Sequence, residues 1–300
     1  MKMVKHVLYC LFFIAFIMAD AITPHTNRGD LHLQLLAQIE TASEDLGYDP
    51  HAQLRFEAPS DQIVLYFHGY GGRGKDAEKI VPLKNVPLLT FDFQDAASRS
   101  WRATSLGQKK EVLVAAYFAH ACVKAGFKKI LLFGFSRGGA VALNLLRLLK
   151  DQAYEKDLDS VGISKLDAEK IVVALETGGI MLQAPLVDSF KAIGKSIGGL
   201  GTLFGFRHIA AFLFSCVTRH ALFGMQGVHS VKWLCDVGHR FRIVWHIKTN
   251  DTVVPSDEMY QCIRMLEAYD NKRIYVSESS GNHLDHPSDQ FIDHCLNLLV

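Results

Sequence analysis

Lys128-Lys129-Ile130-Leu131-Leu132-Phe133-Gly134-Phe135-Ser136-Arg137-Gly138-Gly139-Ala140 is the stretch that decides how this chain folds. Ile130 to Phe133 is an unbroken apolar run, the pattern of a strand covered on both faces in a parallel sheet. Gly134-Phe135-Ser136-Arg137-Gly138 is G-x-S-x-G, and Val141 to Lys150 then reads as an amphipathic helix. A serine at a tight strand-to-helix turn is held clear of the packed layers, where substrate can reach it. The flanking glycines let strand and helix pass closely without Cβ clashes.

Other segments repeat the alternation. Asp30 to Leu46 carries Leu33, Leu36 and Ile39 at helical spacing, and Gln53 to Glu57 reads as a short strand. Ile63 to Phe67 is a second buried strand leading into His68-Gly69-Tyr70-Gly71-Gly72, and Val86 to Phe91 is a third. Lys109 to Lys124 reads as a helix closed by Gly126. Asp151 to Lys170, charged and low in aromatics, reads as a solvated excursion. Gly179 to Pro185, Arg242 to Ile247 and Arg273 to Val276 supply the remaining strands. Helices follow at about Ser256 to Tyr269 and from Pro287 onward. Strands alternating with helices imply an α/β fold: a mainly parallel sheet with helices on both faces.

The chain has 300 residues, 49% hydrophobic and 21% charged, enough for one sizeable core. Met1 to His6 is basic, Val7 to Met18 is apolar, and Ala19-Asp20-Ala21 fits a signal-peptide cleavage site. The apolar core is short for a span, which needs about 20 residues. The expectation is therefore a signal peptide at 1–21, a mature chain beginning near Ile22, and a secreted or periplasmic protein. The alternative is an uncleaved membrane anchor. Net charge is +1 for the whole chain, and losing Lys2, Lys5 and Asp20 with the signal leaves it neutral. Such balance gives no general attraction for nucleic acid. Cys122, Cys216, Cys235, Cys262 and Cys295 of the mature chain are scattered, so neither a metal site nor any other cofactor is expected. Cys216 and Cys235 are the guess for a disulfide; otherwise these cysteines read as small buried residues.

A strand, a G-x-S-x-G turn and a helix resemble the nucleophile elbow of the α/β-hydrolase superfamily, and the likeness extends from about Gln62 to the end of the chain. The resemblance implies a serine nucleophile, an acid and a histidine in that chain order, each after a strand. Ser136 fills the first place. Asn250-Asp251-Thr252-Val253-Val254-Pro255 resembles the acid loop, with Asp251 the choice and Asp257 and Asp188 lesser candidates. Gly281-Asn282-His283 resembles the loop of the general base, with His283 preferred to His286. The oxyanion hole is expected from the backbone N–H groups of Tyr70, after the H-G pair His68-Gly69, and of Arg137. Arg137's side chain is read as solvated or paired, with no part in substrate binding. His68-Gly69-Tyr70-Gly71 departs from the His-Gly-Gly-Gly of many lipases.

Between Leu186 and Arg240 the chain is apolar and glycine-rich, as in Leu203-Phe204-Gly205-Phe206 and Ile209 to Phe214. It resembles the helical cap inserted in many α/β-hydrolases and would line an acyl pocket or touch a lipid surface; packing on the sheet is the plainer reading. The implied organisation is one domain, 22–300, with a cap or lid at about 186–240. The implied function is serine-dependent hydrolysis of small carboxylic esters, lipid-like acyl substrates included. Peptidase or amidase activity on the same triad, and a non-catalytic binding protein, are the alternatives.

Overall fold

A computed structural model describes residues 28–56, 60–94 apart from 81, 82, 84 and 85, 109–187, 227–236, 240–283 apart from 252, 255, 271 and 272, and 292, 293, 296 and 297. The expected signal peptide at 1–21, Asp188, His286 and most of the expected cap lie outside the described residues.

The described elements run α1 (Arg28–Leu46), β1 (Gln53–Arg55), β2 (Gln62–Phe67), β3 (Leu88–Thr90), α2 (Lys109–Lys124) and β4 (Lys129–Phe135). They continue with α3 (Arg137–Lys150), α4 (Glu155–Asp159), α5 (Lys165–Gly178), β5 (Gly179–Gln183), α6 (Gly227–Asp236), β6 (Ile243–Lys248), α7 (Ser256–Asp270) and β7 (Ile274–Ser279). The strands form one sheet in the order β1-β3-β2-β4-β5-β6-β7. β1 is antiparallel to β3, and every other pairing is parallel. After β2 the chain crosses to β3 on one side, then returns to place β4 on the other. That reversal puts the carboxyl ends of β2 and β4 side by side at a switch point, where open α/β sheets form their ligand crevices.

Burial on both faces explains the unbroken apolar runs. In β4, Ile130 and Leu132 enter one core with Ile63, Leu65, Leu182 and Trp245. Leu131 and Phe133 enter the opposite core with Val64, Tyr66, Met181 and Val244. The first core takes buried residues from α1, α2, α3, α5, α6 and α7. The second is covered by Ala77 and Ile80, in and just after the short 3-10 helix Gly74–Lys79, and by the helical residues Ile292 and Leu296.

Three expectations change. Asp151–Lys170 is not a solvated excursion: it contains α4 and the start of α5, and buries Leu158, Ile163 and Ala168. Ser164 caps α5 by accepting the Asp167 N–H at 3.2 Å. The charged residues of that segment lie toward the outer surface while three apolar side chains anchor it. Gly227–Asp236, placed in the cap, is instead helix α6 of the packed layer, with Val231 and Leu234 fully buried against α3 and α7. Cys235 is a buried free thiol whose Sγ approaches the Met265 carbonyl, not half of a disulfide.

Candidate active site

β4 and α3 meet at Ser136, whose φ of 52° and ψ of −114° lie where side chains crowd the backbone. Such a conformation costs on the order of 1–3 kcal/mol and persists only when its surroundings enforce it. Here the Ser136 N–H donates to the Gln183 carbonyl at 2.9 Å, and its own carbonyl accepts from the Gly139 and Leu186 amides, each at 2.9 Å. A Cβ on Gly138 would stand 2.0 Å from the Phe67 carbonyl oxygen, and one on Gly134 would stand 2.6 Å from that of Gly138. The turn therefore closes only because both positions lack side chains.

Asp251 follows β6 in a turn in which its amide donates to the Lys248 carbonyl at 3.2 Å. Its Oδ1 accepts the amides of Val253 and Val254, both at 2.8 Å. Burial alone would push this carboxyl up. The hydrogen bonds from His283 and the two amides outweigh that and hold it below the usual carboxylate range.

His283 lies after β7, beyond Ser280, Gly281 and Asn282. Its Nδ1 is 2.6 Å from Asp251 Oδ2 and its Nε2 is 2.8 Å from Ser136 Oγ. Phe135 stacks on the imidazole at a centroid distance of 5.3 Å, fixing the ring plane. Exposure is 5% for Ser136, 4% for Asp251 and 7% for His283, so the line of hydrogen bonds is shielded from water. With the proton on Nδ1 facing the carboxylate, Nε2 presents its lone pair to the serine hydroxyl. Asp257 sits apart, exposed in the first turn of α7.

His68-Gly69-Tyr70-Gly71-Gly72 leaves the end of β2 beside this line. The Gly72 amide donates to the Gly69 carbonyl at 3.2 Å, closing a four-residue turn whose third residue, Gly71, has φ 73°. That is the position a type II turn reserves for glycine. A Cβ on Gly69 would meet Phe135 Cδ1 at 2.9 Å and Ser136 Cβ at 3.4 Å, so the loop backbone lies directly against the elbow. Arg137 is the first residue of α3. The amide at that position of a helix has no acceptor within the helix itself.

Two residues around this site have parts that residue order did not show: His68, quoted above only within the H-G pair, and Glu111. His68 is fully buried; its Nδ1–H donates to the Gly69 carbonyl at 2.8 Å, and its Nε2 accepts the Phe93 amide at 3.1 Å. Burial, then the nearby Arg137 charge, push its pKa down to about 3, so it stays neutral. Glu111, 4% exposed in α2, pairs with the fully buried Arg137 at 3.1 Å. A carboxylate beside Val112, Val114 and Ala115 on a buried helix was the signal available in the sequence.

No family model matches this chain, and no curated protein matches it in sequence. Among solved structures, a lipase-esterase related protein from Clostridium acetobutylicum is similar at 12% identity and TM-score 0.52, covering 84% of this chain and 99% of its own. An inhibited esterase B from Lactobacillus rhamnosis is similar at 12% identity and TM-score 0.52, over 88% and 96% of the two chains. A propionate-bound thermophilic esterase from Thermogutta terrifontis gives 14% identity and TM-score 0.52, over 82% and 86%. The parallel sheet, its strand order and the elbow at its switch point agree with these likenesses: the chain has the α/β-hydrolase fold.

Proposed function

We propose that this protein is a serine hydrolase that cleaves carboxylic esters, with Ser136 as nucleophile, His283 as general base and acid, and Asp251 as the carboxylate that orients the imidazole. The observation that carries this reading is the continuous line of hydrogen bonds from Asp251 through His283 to Ser136, at 2.6 and 2.8 Å. A serine hydroxyl is a poor nucleophile at neutral pH and needs such a base.

In the first half-reaction Ser136 Oγ bonds to the ester carbonyl carbon while its proton passes to His283 Nε2. Asp251, kept ionised, stabilises the imidazolium that results. The backbone amides of Tyr70 and Arg137 are assigned to the oxyanion. Collapse of the tetrahedral intermediate breaks the carbon–oxygen bond to the alcohol, which leaves with the Nε2 proton. Water then adds to the acyl-serine by the same proton route, releasing the acid and restoring Ser136.

Lipid-like acyl groups are the substrates assigned to this site, on the strength of the apolar run through Leu203–Phe214 in the sequence. Transient lipid contact through that segment, and export after removal of 1–21, complete the proposal. Hydrolysis of p-nitrophenyl butyrate, lost in Ser136→Ala, tests the chemistry; an acyl-chain-length series tests the substrate class. A wild-type protein that is folded yet inert toward every chain length contradicts both.

A further inference from the structure

The guanidinium of Arg137 has none of the solvation its charge would ordinarily seek. It is fully buried, and Glu111 of α2 pairs with it at 3.1 Å. From there it reaches back across the elbow, lying 3.4 Å from the Gly69 carbonyl, to which it donates, and 3.3 Å from His68 Nδ1. It also lies 5.0 Å from the centroid of the Phe93 ring and 5.7 Å from that of Tyr70. One side chain thus binds three separate parts of the site: the helix that begins at the nucleophile, the loop after β2, and α2 behind them. A buried charge pair is costly to assemble, and replacing it by apolar residues is often neutral or stabilising. Stability therefore gives a weak reason for placing one here.

We propose that Arg137, held by Glu111, is a positioning residue that sets the His68–Tyr70 loop in register with Ser136, so that the two assigned oxyanion amides converge on one point. The inference rests on the acyl-transfer reading above and adds a determinant to the same site. The Gly69 carbonyl is the handle. It accepts from His68 Nδ1–H at 2.8 Å, from the Gly72 amide at 3.2 Å and from Arg137 at 3.4 Å. These three donors fix the plane of the peptide that joins Gly69 to Tyr70, and with it the direction of the Tyr70 N–H. Neutral His68 cannot supply a charge of its own, so Arg137 is the cation of this loop anchor. The contact is made through the loop and not through substrate, so its loss should weaken binding of the transition state while leaving ground-state binding nearly intact.

The test compares wild type with Arg137→Lys, Glu111→Gln and the double variant Glu111→Gln/Arg137→Met, which removes both charges together and avoids stranding either in the interior. The readouts are kcat and KM for p-nitrophenyl butyrate, affinity for a trifluoromethyl ketone that forms a tetrahedral adduct, and thermal midpoint. The expected result is a kcat lower by roughly 10- to 100-fold, below the effect of deleting an oxyanion donor outright. KM should stay within about threefold. Trifluoromethyl ketone affinity should fall in parallel with kcat, including in variants whose midpoint matches wild type. Folded variants that keep wild-type kcat and inhibitor affinity, while wild type hydrolyses the ester and Ser136→Ala does not, overturn this inference alone. An inert wild type overturns the parent reading and this one with it.

Discussion

His283 Nε2 stands 2.8 Å from Ser136 Oγ across a sequence separation of 147 residues. Nothing local joins them. The loop after the last strand meets the elbow of the fourth because β4, β5, β6 and β7 are successive parallel neighbours whose carboxyl ends share one edge. A parallel sheet collects these loops at one rim, which is why three side chains from separate regions form one hydrogen-bonded line.

Asp251→Asn should separate charge from shape. The amide side chain keeps the size and can still accept the Val253 and Val254 amides, but its NH2 can face Nδ1. The imidazole then adopts the tautomer protonated on Nε2, which cannot accept the serine proton. A fall in kcat of about 10⁴ is expected, with little change in thermal midpoint. Steady-state kinetics at neutral pH, with circular dichroism to verify folding, check this; near-wild-type kcat would remove Asp251 from its role.

The backbone at Ser136 predicts a stability difference between two variants that lack the hydroxyl. Ser136→Ala retains the crowded φ of 52°, whereas Ser136→Gly relieves it. The glycine variant should be more stable than the alanine variant by about 1 kcal/mol, after allowing for glycine's greater freedom in the unfolded chain. Urea denaturation of the pair measures the difference, and an alanine variant at least as stable as the glycine one argues against strain at the elbow.

Gly138→Ala should be far worse. Its new methyl would meet the Phe67 carbonyl oxygen at 2.0 Å, a backbone atom of β2 and not the end of a flexible side chain that could yield. Destabilisation above about 3 kcal/mol is expected, at the level of severe overpacking. Soluble expression and thermal midpoint report it. A variant as stable as wild type would mean that β2 and α3 are not so close.

Much of this was legible in residue order. The apolar runs at Ile63 and Ile130 revealed strands because both faces are covered, and the glycines at 134 and 138 revealed the elbow because no methyl fits there. Asp251 and His283, chosen by their position after strands, lie in one hydrogen-bonded line with Ser136. Other features depended on partners that spacing does not show. Glu111 and Arg137 are adjacent only once α2 packs against α3. The charged run Asp151–Lys170 hid α4 and the start of α5 because three buried apolar side chains anchor it amid many charges. Gly227–Asp236 resembled the apolar segment before it, yet its buried face belongs to the layer against α3 and α7.

Acid should weaken the fold well before the carboxylates titrate. Burial, followed by neighbouring charge, pushes His68 down to about 3 and His246 down to about 4, against an ordinary value of 6.5. A folded state that resists protonation loses ground to an unfolded chain that accepts it. Stability is therefore full above about pH 6.5 and falls as pH drops toward 4. His68 alone contributes up to about 1.4 kcal/mol per pH unit through that interval. Urea midpoints at pH 7.5, 6 and 5 should decline in that order; equal midpoints would show that these histidines are not buried and neutral.

On the proposed function, Ser136 is activated by His283. Incubating the protein with a fluorophosphonate and locating the adduct by peptide mass spectrometry tests it most directly. A single phosphonylated residue, Ser136, is expected, with labelling slowed by orders of magnitude in His283→Ala and absent in Ser136→Ala. A folded wild-type protein left unlabelled at Ser136, or labelled equally fast without the histidine, would contradict it.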